Sequence, residues 1–497
     1  MAIGVPTMKT AGGTDPQVSP WPMVMALLGT LFLRAGGGVM GILIGLFLAA
    51  KDNEMLQGSS GGAAPNPNFT VSATLIGIIT ASYFITELGG SFISGRLIDR
   101  DGPRRFMIFG PLFGAGAVFI TAALHLRSDS VPFQFILFLG LLFATRLLEG
   151  AAGAVTNPAT LAYIAAYTDK SPKLRSRVSG YFEIATLVGA GVGFVVGGTL
   201  WDKFGQNAFL LNFALYLFSA LIFFFGLRNI TRNAAADGGH AELGATHSFG
   251  AYMKLLTAPK LRELVPAWLA ISALLGVLFN LAAFQLSDGS SRSGAASEAA
   301  VKQIVRFPDQ TLSHAFSGQS VGLVFGLYAL AFGVGIVVWT LRIPKMRKST
   351  VMLISSVGVM FASVLLAAIN HTGALGDSNL IRIPLILLML IAVGVESGFT
   401  PAALVYLSDI SESYAENRGM VMGLYSFLLG FGQVLGSVIG GPFADRAAID
   451  GLLLFMSILA LISMFGIFFL RRDELLTHSE LTPGPSDIPL AESLSGD

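Results

Sequence analysis

Six ionisable residues lie inside stretches of sequence that are otherwise too apolar to hold them: Arg34, Glu87, Arg146, Glu149, Glu183 and Glu396. A charge in hydrocarbon is costly enough that it tends to face a cavity, find a partner or carry function. Arg34, Arg146, Glu149 and Glu396 are well within their apolar runs, whereas Glu87 and Glu183 are nearer the ends. Two arginines cannot neutralise four carboxylates, so even complete pairing leaves two acids over. An unpaired carboxylate away from water is most stable with a proton on it. The chemistry these residues could do is to bind and release a proton. Glu149 or Glu396 would carry it, Glu87 would assist, and Arg34 or Arg146 would modulate it. The architectural alternative is that Arg146 and Glu149 neutralise each other and that Glu183 snorkels at a helix end.

Spacing indicates what must hold these groups. Arg146, Glu149, Gly150, Gly153 and Asn157 fall at i, i+3, i+4, i+7 and i+11, which is one face of a helix. That face combines an ion pair, a close-approach glycine surface and a polar side chain, as a wall facing a central cavity would. Glu396 sits between Gly394 and Gly398, a sequence suited to close helix contact.

The rest of the chain is built to place such helices in a bilayer. Of its 497 residues 53% are hydrophobic and 12% charged, and the mean hydropathy is +0.69. A soluble domain carries about 25% charged residues. Apolar runs long enough to cross a core of about 30 Å recur throughout. The reading is an all-α integral membrane protein with twelve spans: about 22–50, 72–95, 105–125, 133–165, 178–200 and 208–228, then 263–286, 319–342, 350–369, 382–408, 420–443 and 450–470. The expected organisation is a six-helix bundle at 1–228, a cytoplasmic linker at 229–262, a second six-helix bundle at 263–472 and a polar tail at 473–497. Lysine and arginine divide 21 to 8 between the segments on the side of the N-terminus and those on the other side. By the positive-inside rule both termini are expected in the cytoplasm, with the protein multi-pass in the plasma or inner membrane.

Other chemistries find no support. The net charge of +1 offers no nucleic-acid footprint, and the absence of cysteine excludes disulfides and thiol chemistry. No Walker-type loop, no Ser/His/Asp arrangement and no His-rich cluster is present. No enzyme activity, metal or cofactor is expected.

The two halves repeat. Aligning Asn157–Asp202 with Thr400–Asp445 at an offset of 243 gives 13 identities in 46 positions, including Arg175/Arg418 and Asp202/Asp445. Parallel copies of this kind place a binding site near the midplane, at their interface. The copies differ in charge, since Met389 and Ala392 stand where the first half has Arg146 and Glu149. The second half instead offers Asn280, Gln285, Tyr425 and Gln433, a surface suited to an amphiphilic or lipophilic solute.

These features resemble the major facilitator superfamily of secondary transporters. The resemblance rests on the 6 + 6 arrangement, the long central linker and three motifs. The stretch after span two reads Gly95, Asp99, Arg100, Gly102, Pro103, Arg104, Arg105; span four carries Arg146, Glu149 and Gly150; span five carries Gly189, Gly193, Gly197 and Gly198. Phe194 replaces the proline usual in the efflux branches. The resemblance implies alternating access, with Asp99 and Arg100 in a charge network that latches the cytoplasmic side. The glycines of span five, and Gly436, Gly440 and Gly441 of span eleven, would form close helix seams. The functional expectation is H+-coupled efflux of a small organic solute by an antiporter, working as a monomer in the lipid bilayer. Uptake of a nutrient or metabolite is the alternative, and a non-transporting receptor or adaptor a more distant one.

Overall fold

The computed structural model describes residues 20–58, 71–124, 132–168, 172–229, 259–289, 309–375, 379–413 and 418–481. Long apolar segments must satisfy their own backbone hydrogen bonds in lipid, so they fold as helices. The first half contains α1 (Trp21–Gly58), α2 (Ala73–Asp101), α3 (Pro103–Ala123), α4 (Pro132–Tyr167), α5 (Pro172–Phe204) and α6 (Ala208–Gly226). The second contains α7 (Leu264–Leu286), α8 (Gly318–Arg342), α9 (Lys348–Asn370), α10 (Asn379–Glu396), α11 (Phe399–Ser413) and α12 (Arg418–Leu481). Among the described residues there is no strand, only an isolated parallel bridge between Ser287 and Phe316.

Among the described residues, ten stretches are long and apolar enough to cross a membrane. Two of them are too long for one crossing: 177–226 breaks at the 3-10 turn Gly205–Asn207, and 427–472 reverses within α12. Ala447 and Ala448 are non-helical there, with Ala448 at φ 48°. Twelve crossings result, α10 and α11 together making the tenth. The linker residues 230–258 and the tail from 482 lie outside the described residues. The described end of the linker is one helical turn, Pro259–Arg262.

The halves meet along α2 with α12, α5 with α8, and α1 with α7. The glycines decide how closely. A Cβ on Gly193 would come within 2.9 Å of Gly38 Cα and Val39 N on α1, and one on Gly197 would come within 3.0 Å of Val39 Cα. Gly189 faces Leu31 and Arg34 of the same helix. In the second half Gly436 packs on the Ala273 backbone, and Gly440 on Val277 and Leu281, all on α7. Gly198 and Gly441 instead face across the boundary, against Gly318 and Gly322 on α8 and against Thr74 on α2.

The charged stretch after span two is mostly helix rather than loop. Residues through Asp101 belong to α2, Pro103 starts α3, and Gly102 alone makes the reversal at φ 81°. Gly95 is therefore not a turn residue; it lies inside α2, and a Cβ there would meet nothing within 4 Å. The long connection after α7 ends in a strap at 309–317. His314 N donates to Gln285 O at 2.8 Å and Phe316 N to Leu286 O at 3.0 Å, while Gln310 Nε2 reaches Ala447 O at 2.9 Å. The strap thus ties the ends of α7, α9 and α12 together.

Candidate functional site

A cavity of about 310 Å³ lies between the halves, near the middle of the spans. From the first half it is lined by Arg34 and Gly38 (α1), Tyr83 (α2), Arg146, Glu149 and Asn157 (α4), and Tyr216 (α6); Phe279 and Asn280 (α7) and Gln433 (α12) line it from the second. Thus one wall is charged and the other aromatic and amide-bearing. Of the helical face read from the sequence, Arg146, Glu149, Gly153 and Asn157 line the cavity, while Gly150 packs on the Tyr83 backbone of α2.

The polar groups form two chains. In the first, Arg34 Nη2 donates to Asn157 Oδ1 at 2.9 Å, and Asn157 Nδ2 donates to Glu87 Oε1 at 2.8 Å. Asn157 thus relays between a cation and an acid on different helices, which the sequence did not reveal. In the second, Arg146 Nη1 pairs with Glu149 Oε2, and the Tyr216 hydroxyl donates to Glu149 Oε1 at 3.1 Å. Arg146 and Glu149 are 4% and 5% exposed, so each makes the other's burial tolerable. Arg146 Nε and Nη2 find no protein acceptor.

Glu396 is not part of this wall. It ends α10, and the break before α11 falls at Ser397–Gly398. Its Oε1 accepts from the Tyr328 hydroxyl at 2.7 Å, and the Tyr328 ring meets Phe279 edge-on at 6.3 Å. Phe279 lines the cavity, so Glu396 stands one layer behind it. Trp339 Nε1 donates to the Gly394 and Val395 carbonyls at 3.2 and 3.1 Å, beside the bonds they accept from Ser397 Oγ and Gly398 N at the helix break.

Glu183 is exposed, but α5 starts at Pro172, so it lies about three turns inside the helix rather than at its end. Gln285 is buried at the far end of α7 and does not line the cavity. The side chains of Tyr425 and Asp99 lie outside what the structure describes. Arg100 is engaged locally: its Nε and Nη2 donate to Asp101 at 3.1 and 3.0 Å, which holds the Asp101 carboxyl below the usual range. Arg104 donates to Phe224 O at 2.8 Å and so joins α3 to α6 within the first half. Arg105 is exposed.

The sequence matches the Major Facilitator Superfamily over residues 26–305 and 304–490. The chain belongs to this superfamily of membrane transporters. Among its relatives, Multidrug resistance protein 1 of Bacillus subtilis (strain 168) is 29% identical over 163 residues, 33% of this chain and 38% of that protein. Multidrug resistance protein 3 of the same organism is matched over only 33% of its length, so the chain spans about a third of these relatives. MFS-type transporter SLC18B1 of Homo sapiens is 25% identical over 426 residues, 80% of this chain and 79% of that one. The nucleoside transporter NupG shares the fold at a TM-score of 0.61 with 14% identity, covering 91% of this chain and 98% of its own. A bacterial homolog of the human lysosomal transporter Spinster does so at 0.59 with 15% identity, covering 95% and 100%. Members of this superfamily are membrane transporters, and folds built from two such halves place a solute near the midplane, at the interface of the halves.

Proposed function

We propose that the protein exports small amphiphilic organic compounds in exchange for protons, by alternating access. The observation that carries this reading is the division of the cavity, with Glu149 and its Arg146 partner on one wall and Phe279, Asn280 and Gln433 on the other. An apolar or aromatic body would rest against Phe279 and Phe194, while its polar group meets the charged wall. Glu149 is the group over which proton and substrate compete. With a proton on it, Arg146 loses its counter-charge and a cationic solute is repelled. Without one, the carboxylate is charged and can turn from Arg146 to hold a cationic or hydrogen-bond-donating solute. Glu396 provides a second proton site behind the cavity, linked to it through Tyr328 and Phe279. The multidrug resistance relatives support export, and the positive-inside asymmetry supports cytoplasmic termini. The domain organisation and monomeric state expected from the sequence complete the proposal.

Purified protein in liposomes under an imposed pH gradient tests this reading. Lipophilic cations and metabolites are supplied in turn, with lumenal pH and substrate followed together. Substrate movement against its gradient, driven by the proton gradient and opposite to it, is expected. Movement in the same direction as protons would instead establish uptake.

A further inference from the structure

The sequence repeat pairs Asp202 with Asp445, and the structure shows that both do the same thing. Each lies at the end of an equivalent crossing, the fifth and the eleventh, and each reaches into the opposite half. Asp202 Oδ1 accepts from Gly318 N and Oδ2 from Gln319 N, both at 2.8 Å. Asp445 Oδ1 accepts from Ala73 N at 2.6 Å, and its Oδ2 from Thr74 N at 3.1 Å and from the Thr74 hydroxyl. Gly318 and Gln319 open α8, and Ala73 and Thr74 open α2. Both carboxylates thus straddle the first two free N–H groups of a helix, where the positive end of its dipole attracts an anion.

We propose that Asp202 and Asp445 are a symmetric pair of latches that hold this face of the cavity shut, and that the transporter opens to this side by releasing both. Three features make the contacts releasable rather than structural. Each helix already has its own cap, with Ser72 Oγ accepting from Leu75 N at 3.1 Å and Ser317 Oγ from Ser320 N at 3.4 Å. The carboxylates take only the first two N–H groups, which water can serve once the halves part. Next, a glycine lies four residues before each aspartate, and both meet the helix that is latched. A Cβ on Gly198 would come within 2.8 Å of Gly318 C, and one on Gly441 within 2.5 Å of Thr74 Cα. These glycines let the helix ends approach closely enough for a short carboxylate to reach backbone. Finally, the opposite face has no counterpart among the described residues: Arg100 is bound to its neighbour Asp101, and Arg104 stays within its own half. The structure is therefore closed at the Asp202/Asp445 face, which the charge distribution places outside the cell.

The inference rests on alternating access, but not on the coupling ion or the direction of transport. Its test accordingly reads accessibility rather than flux. The chain has no cysteine, so a single Ile44→Cys, at the cavity lining, can be labelled by a membrane-impermeant thiol reagent added on the Asp202/Asp445 side. Asp202→Asn and Asp445→Asn keep shape but remove the charge. Each is expected to raise the labelling rate about fivefold, the full helix-end charge effect of an exposed site, and the double variant about twenty-fivefold if the two act independently. If the double variant is lost from the membrane, the single variants carry the same test. Unchanged labelling in folded Asp202→Asn and Asp445→Asn proteins would overturn the proposal, even if export by protons were established. Faster labelling in a protein that moves no protons would leave the latch standing and remove the coupling.

Discussion

The Tyr328 hydroxyl donates a 2.7 Å hydrogen bond to Glu396, and no described cation faces that carboxylate. This separates Glu396 from Glu149, which has Arg146 for a partner. A buried acid held by a neutral donor can exchange a proton without breaking an ion pair. Glu396→Gln is expected to lower gradient-driven transport at least tenfold with expression intact. Tyr328→Phe removes one hydrogen bond to a charged group, worth about 1.5–3 kcal/mol, and is expected to change the pH dependence of transport rather than abolish it. Rates measured across external pH check both.

Arg146 and Glu149 are expected to behave as a unit. Removing one partner leaves the other charged and buried, a loss of about 3–5 kcal/mol, whereas replacing both with apolar residues of similar volume is neutral or stabilising. Melting of the purified protein in detergent should fall for Glu149→Gln and recover in Arg146→Met/Glu149→Met. The double variant should nonetheless transport nothing against a gradient, which separates the stabilising role from the transport role.

Two glycines on α5 should respond oppositely to a side chain. Gly193→Val drives a side chain into Gly38 and Val39, and overpacking of this kind costs about 1–3 kcal/mol. Gly180→Ala meets nothing within 4 Å, and better helix propensity is worth up to about 1 kcal/mol there. Thermal melting of the two variants compares them directly.

His314 gives the strap a pH dependence. It is buried, its Nδ1 lies 2.9 Å from Ser287 O, and burial lowers its pKa to about 4. The carbonyl fixes the neutral tautomer with the proton on Nδ1. Between pH 6.5 and 4 the unfolded chain binds a proton that the folded one refuses, so stability is complete above about pH 6.5 and lost as pH falls towards 4. The loss is bounded at about 3 kcal/mol by the same linkage. His314→Asn suits the positive φ of 54° and should flatten the melting profile below pH 6.5.

The sequence makes the spans, the repeat and the charged face of α4 legible because helical periodicity and bilayer exclusion act locally. Asp202 and Asp445 were visible as a matched pair, but their partners, Gly318 and Ala73, are backbone groups that no side-chain pattern marks. Tyr328 and Tyr216 look like any aromatic in a span until folding brings a carboxylate to each. Asn157 lies on the polar face of α4 that the spacing marks, yet its position between Arg34 and Glu87 depends on how α1 and α2 pack against α4. Ending span two near residue 95, when α2 runs to Asp101, has a different reason. A glycine within a helix leaves no sequence mark distinguishing it from one at a turn, whereas Gly102 before Pro103 does.

The account stands most directly on whether substrate and proton compete for Glu149. Purified protein in a weakly buffered solution, titrated with a transported compound, should release protons in step with binding. Release should saturate with substrate occupancy, and in Glu149→Gln, which stands in for the protonated acid, both the release and the tight binding should be lost. Substrate binding to the native protein with no release of protons at any pH would contradict the account.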